Sequence, residues 1–350
     1  MYAMGNHEFP QTNTDDTVSA NSINVFEQQT GLSRNQHVEY NDFHFITAAQ
    51  KAYSNVFTAE AEQYMMEEID KALCEDSTNE VITVDNNDTP DDTSDDITTI
   101  TYEGGIPNSK KPVFLLLHQP IGSTLNNGAN SCFSEGFVSF LANRPQIVNI
   151  TAHMHRLAQH PQTIGQNAGF TAFQSPMTAG AFHSQWGYTK ESEITDTMCS
   201  QGSFMEVKDN VVYLYRLDYL NDCYIGEPFV VDIPSIVDDK LDSDTTNDWA
   251  HMPYTNTVRY ALPSAAAFPE DAKVTANVQG TAVSVTFPNT AVMTSYDEVQ
   301  QDNFIRGYKI EAVSNGVVAA SNEFQADFWK ASANRAASYT KSLGGLYYNT

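Results

Sequence analysis

Val113-Phe114-Leu115-Leu116-Leu117-His118 and Ile147-Val148-Asn149-Ile150-Thr151-Ala152-His153-Met154-His155 are the two stretches that decide the fold. Each is a short apolar run of the kind buried strands have, and each stops at a histidine. Between them, Ser134 to Asn143 suits a short helix. Strand, helix and strand in this order argue for α/β layers. In open α/β sheets ligands collect at the carboxyl ends of strands, where these histidines fall.

Working outward, Tyr2-Ala3-Met4 reads as a strand end running into Gly5-Asn6-His7-Glu8, and Val38 to Ala49 reads as one continuous strand. Thr58 to Leu73 has a threonine N-cap, early glutamates and helical periodicity. Asp85 to Thr99 is acidic and Thr-rich, and reads as a solvated insertion; it lacks the glycine and closing glutamate of a calcium loop. From Gly169 to Asp232 the pattern is mostly β, with Asn210 to Leu217 the clearest strand. Residues 233–263 are acidic and poor in apolar positions, and read as a linker. Beyond them, Ala272 to Phe287 and Arg306 to Ala319 are paired alternating segments, the second around Asn315-Gly316, a strong hairpin signal. The expected organisation is an α/β layered domain over 1–232, an acidic linker over 233–263 and a small all-β sandwich over 264–350.

With 18 Lys+Arg against 44 Asp+Glu, the formal charge is -26, which repels nucleic acid and anionic membranes. Any anionic substrate would need local cations to reverse that field. No apolar run approaches the ~18–20 residues of a membrane span, and the N-terminus shows no secretion signal. Cys74, Cys132, Cys199 and Cys223 are dispersed and form no CxxC pattern.

The chemistry-bearing residues are Asn6, His7, His118, His153 and His155. Imidazole nitrogens suit Zn, Fe, Mn or Co, and an amide oxygen keeps harder ions in play. His153 and His155 lie two apart, so in extended chain they face the same side. Arg156, directly after His155, is a candidate to meet a substrate phosphate, and His160, just past the block, to face substrate. Asp42-Phe43-His44 sits inside an expected strand and reads as structural, as do His37, His183 and His251; Trp186 and Tyr188 read as packing residues. Asn87-Asp88-Thr89 and Asn149-Ile150-Thr151 match the glycosylation sequon, the second within an expected buried strand.

Over roughly residues 1–232 the chain resembles the calcineurin-like metallophosphoesterases. Gly5-Asn6-His7-Glu8 resembles the family's GNH[DE] block, Leu117-His118-Gln119-Pro120 its apolar strand ending in His, and Ala152-His153-Met154-His155 its GHxH block. The resemblance implies a layered β-sandwich flanked by helices. It also implies a dinuclear centre of Fe, Zn or Mn ions ~3.5–4 Å apart, whose bridging hydroxide attacks a phosphoester. Asn6, His118 and His153 would then bind the second metal and His155 the first. His7 would protonate the leaving oxygen or stabilise charge.

The family's DxH and GD blocks lie upstream of GNH[DE], and here four residues precede Gly5. The expectation is therefore an N-terminally truncated fragment of a parent enzyme, holding at most one metal site and inactive alone. Ala152 stands where the family has Gly, costing about 1 kcal/mol if that backbone needs positive φ. Phe268 onward resembles a fibronectin type III domain, incomplete at Leu346-Tyr347-Tyr348. That module and the acidity suggest an extracellular or cell-surface protein with possible extracellular contacts. The alternative is a non-catalytic adhesion protein on a degenerate phosphoesterase-like scaffold. A third reading makes Asn6, His118 and His153 the mononuclear site of another hydrolase.

Overall fold

The computed structural model describes residues 1–10, 16–53, 56–86, 96–122, 132–178, 200–242, 252–261, 268–280, 282–289, 307–327 and 335–343, with positions 93, 124, 125 and 305. The protein is a mixed α+β structure with several sheets and few helices.

The elements in chain order begin with α1 (Asp16–Thr30), β1 (Gln36–Tyr40), β2 (Phe43–Thr47) and α2 (Ala59–Cys74). They continue with β3 (Glu80–Asp85), β4 (Ile97–Tyr102), β5 (Val113–Leu116), α3 (Glu135–Ala142) and β6 (Ile147–Thr151). β7 (Ile164–Gly165) and β8 (Thr171–Gln174) complete a six-stranded sheet of order β1-β2-β5-β6-β8-β7. Its centre, β2-β5-β6-β8, is parallel. A second sheet pairs β10 (Val211–Asp218) with β9 (Gln201–Lys208), β11 (Cys223–Tyr224) and β12 (Phe229–Asp232).

Alternation along β5 divides the interior into two cores. Val113 and Leu115 pack with Met65, Ile69 and Leu73 of α2 and Phe137 and Leu141 of α3. Phe114 points the other way, with Val148 and Phe173, onto Val212, Leu214, Phe229 and Val231 of the second sheet. The result is a layer of helices, a sheet and a second sheet. α2 starts where expected because the Thr58 side chain accepts from the Ala61 N–H, and Ser134 caps α3 through Phe137 N–H in the same way.

Three expectations are corrected. Val38–Ala49 is a hairpin rather than one strand: Asn41 and Asp42 take φ of 50° and 63°, the left-handed pair of a two-residue turn that Asn and Asp tolerate. Tyr2–Met4 joins no ladder, and Asn6–Glu8 is a single 3-10 turn. Residues 233–263 are not a bare linker. Asp232 caps α4 (Ile233–Leu241), which buries Ile233, Ile236 and Val237 against the second sheet. Tyr254, before α5 (Asn256–Ala261), is buried there too, and its hydroxyl accepts from Val230 N–H.

The C-terminal region is all β. β13 (Thr275–Gln279), β14 (Ala282–Pro288) and β17 (Ser338–Leu343) form one sheet, and β15 (Gly307–Ser314) with β16 (Val317–Gln325) the other. Val285, Phe287, Ile310, Phe324 and Leu343 form its sandwich-like core. Asn315 and Gly316, at φ 50° and 80°, make the expected hairpin turn. Leu346-Tyr347-Tyr348, His183, Trp186, Tyr188, Cys199, His251 and the first sequon lie outside the described residues. Asn149 of the second sequon is fully buried, with its side-chain amide donating to Leu115 O. Among the described residues no helix is long and apolar enough to cross a membrane.

Candidate metal centre

β5 and β6 end side by side, and the ladder runs one step past them: Leu117 N–H donates to Ile150 O, and Ala152 N–H to His118 O. This fixes His118 beside His153. The 3-10 turn of Asn6–Glu8 lies against the same edge, held by the Glu8 carboxylate accepting from Gly5 N–H at 2.6 Å. A Cβ on Gly5 would stand 2.8 Å from the His118 ring, so only glycine allows this approach.

Three donor atoms converge. His118 Nε2 lies 2.8 Å from Asn6 Oδ1, 112 residues away in sequence, and 3.3 Å from His153 Nδ1. Two bonds of about 2.0–2.1 Å to one ion place their donors roughly 2.8–3.4 Å apart over octahedral to tetrahedral angles. Both distances fall in that range, so His118 can share a cation with Asn6 on one side and with His153 on the other. Among the described residues no three His, Cys, Asp or Glu side chains form a group that could hold a metal ion; the third donor here is an amide oxygen. His155 shares a pocket of about 180 Å³ with His118, His153, Gln174 and Ser175. His7 is exposed, with its ring edge-on to Tyr53 at 5.9 Å.

The electrostatics suit cation binding. Burial, then the fields of His153, His155 and His7, hold the His118 imidazole down at about 4. Burial, then His155 and His7, lower His153 as well. Burial thus favours the neutral form of both rings, in which one nitrogen carries a free lone pair. Gln119 Nε2 reaches His153 Nδ1 at 3.3 Å and Gln50 Oε1 at 3.4 Å.

The backbone here is strained. His153 and His155 have φ of 62° and 45°, uncommon for non-glycine residues. Met154 N–H donates to Ala152 O at 2.7 Å, closing the rarer, strained γ-turn around His153. Ala152 itself is not in the left-handed region, so its replacing Gly carries no such cost. Such outliers gather at functional sites.

Arg156 and His160 are not brought to the pocket. Buried Arg156 donates from Nη1 to Leu125 O at 2.7 Å and Gln162 O at 3.1 Å. Burial lowers its guanidinium to about 10. His160, also buried, caps a 3-10 turn by accepting Gln162 N–H on Nδ1. Sequence reasoning missed Gly5 as a spacer, Glu8 as a clamp and Gln119 as a neighbour of His153. The GNHE and HQP blocks held the letters, but only the packing gives their roles.

His44, in the Asp42-Phe43-His44 stretch, lies elsewhere. Its Nδ1 is 2.9 Å from His37 Nε2, whose Nδ1 is 2.5 Å from Glu68; His44 Nε2 is 3.3 Å from Glu75. Ring centroids are 5.1 Å apart here and in the His118–His153 pair. The facing nitrogens are closer here, so this pair meets more nearly head-on.

No protein-family model, no curated protein and no solved structure matches this chain.

Proposed function

We propose that this chain carries a divalent-cation site of a metallophosphoesterase-type hydrolase, built on that family's layered fold. The observation that supports it is the convergence of Asn6 Oδ1, His118 Nε2 and His153 Nδ1 from three separate segments, beside a strained His153. Asn6, His118 and His153 would hold one ion, and His155, in the same pocket, would be a ligand of the second. Bound ions of this kind polarise a phosphoryl oxygen and supply the positive field that a protein of charge -26 otherwise lacks.

The chain's own residues orient and deliver protons. Glu8 clamps Gly5 so that Asn6 meets His118. His7, exposed and near enough for its field to reach His118 and His153, would give a proton to the leaving oxygen. Among the described residues the lining of the pocket includes no carboxylate to bridge two ions. The chain is therefore expected to bind one ion firmly and to turn over phosphoesters marginally if at all.

Calorimetric titration with Zn²⁺ and Mn²⁺ tests this. One ion per chain is expected, with affinity lost in Asn6→Ala and His118→Ala. The metal-loaded protein, and not the stripped one, should bind inorganic phosphate at the pocket. Unchanged ion binding in both variants would remove the hydrolase reading. Ion binding with no phosphate binding would favour the non-catalytic scaffold.

A further inference from the structure

Gln50 and Gln119 are each 1% exposed, so the polar ends of both amides need partners inside the protein. A glutamine amide has a nitrogen that only donates and an oxygen that only accepts. One fixed point decides which end faces which neighbour here. The Ala52 carbonyl can only accept, so the Gln50 nitrogen turns to it, at 2.6 Å. The Gln50 oxygen is left toward Gln119, at 3.4 Å, and an oxygen there is matched only by the Gln119 nitrogen. The same Gln119 nitrogen lies 3.3 Å from His153 Nδ1. An amide nitrogen carries two hydrogens, one for each of these neighbours.

A nitrogen that only donates must meet an acceptor. Nδ1 of His153 is therefore the ring atom with the lone pair, and in the neutral ring the proton sits on Nε2. Burial, then the fields of His155 and His7, favour that neutral ring. His118 Nε2 approaches the same Nδ1 at 3.3 Å and lies 2.8 Å from Asn6 Oδ1, so the bare nitrogen faces the rest of the donor set. The backbone contributes as well. The φ of 62° and the bond from Met154 N–H to Ala152 O hold the His153 Cα in its turn. A relay thus runs from a main-chain carbonyl through two buried amides to one imidazole lone pair.

We propose that Gln119, itself oriented by Gln50, is a positioning residue that keeps Nδ1 of His153 unprotonated and turned toward His118 and Asn6. The use of that lone pair by an ion rests on the hydrolase reading; the tautomer itself does not. At 3.3 Å the Gln119 contact is long, so an ion displaces it at small cost. Its part is to set the place of the proton before an ion arrives. A ring with its proton on Nδ1 would offer an ion no lone pair there.

The test is long-range proton–nitrogen NMR of the whole chain with nitrogen-15 in its histidine rings. The protein is kept in EDTA at about pH 8, above the usual imidazole range. His153 is identified by the signal lost in His153→Asn. The parent should show Nδ1 bare and Nε2 protonated. Gln119→Met, of similar volume and without a donor, should give a mixture of both tautomers. Gln50→Met, which frees Gln119 to turn its oxygen to the ring, should do the same. Gln146→Met, which removes a buried amide bonded to Pro107 O and Ser109 O, should leave His153 as in the parent. Zn²⁺ affinity of Gln119→Met should fall about twofold or more, as when half the rings carry the proton on the wrong nitrogen.

A protonated Nδ1 in the parent, or the parent pattern retained in either Gln119→Met or Gln50→Met, would overturn the proposal. The parent spectrum alone decides the first of these, so a variant that fails to fold leaves the test standing. Absence of ion binding by the parent would sink the hydrolase reading, whereas a protonated Nδ1 with ion binding intact would sink the relay alone.

Discussion

Gly5→Ala is the sharpest perturbation of the candidate centre. The added Cβ would stand 2.8, 2.9 and 3.0 Å from Nδ1, Cε1 and Cγ of His118. Comfortable contact begins near ~3.5 Å, so ring or turn must retreat by about 0.5–0.7 Å. Metal ligands tolerate only about 0.2 Å, and functional constellations about 0.5 Å. Zn²⁺ affinity should therefore fall roughly 10–100-fold, the range seen when ligand support is lost. The fold should lose about 1–3 kcal/mol from overpacking.

Gly31→Ala is the control. At φ 68° with nothing within 4 Å of its Cβ, it should destabilise the fold by about 1 kcal/mol and leave ion binding unchanged. The assay is calorimetric ion titration paired with thermal unfolding. A Gly5→Ala protein that binds Zn²⁺ as tightly as the parent would refute the convergence of Asn6 and His118 on one ion.

Further outcomes follow from other contacts. His118 titrates near 4 in the fold against 6.5 unfolded, so between these values the unfolded chain takes up the proton the folded one refuses. Metal-free stability should fall as pH drops through 6.5 to 4, and His118→Asn should remove up to about 3 kcal/mol of that slope in acid-dependent urea denaturation. Arg144, buried, donates to Asp70 at 2.6 Å and lies 3.3 Å over the Phe140 ring; Arg144→Ala should cost about 3–5 kcal/mol in chemical denaturation by stranding Asp70. Three contacts run in series through Glu68, His37, His44 and Glu75, each ring taking part in two of them. A double-mutant cycle of His37→Ala with Glu75→Gln should show coupling of roughly 0.5–1 kcal/mol although the two side chains are not in direct contact.

The elements legible in the sequence were those where one signal had no rival. α2 combines a threonine cap with an apolar stripe at Met65, Ile69 and Leu73, and β5 and β6 are apolar runs too short for helices. The β1–β2 hairpin was hidden because its turn is Asn41-Asp42, without the glycine that marks such turns most strongly. α4 was hidden by Asp238 and Asp239, which make the segment acidic while Ile233, Ile236 and Val237 still line one face. Met4 looked strand-like because it is apolar, yet it is buried without joining a ladder.

At the candidate centre, residue types and order were legible, and the distances were not. Arg156 looked like a phosphate ligand by adjacency to His155. The left-handed backbone at His155 turns the chain inward, so the next side chain meets buried carbonyls instead. Gly5 and Glu8 act through contacts that no local pattern encodes, the first across more than a hundred residues.

X-ray absorption at the zinc edge of the protein loaded with one equivalent of Zn²⁺ tests the central claim most directly. Two imidazole nitrogens at about 2.0–2.1 Å and a light oxygen donor are predicted, with the imidazole signal reduced in His118→Ala. A histidine signal that survives His118→Ala and vanishes in His37→Ala would place the ion at the other pair and contradict the account.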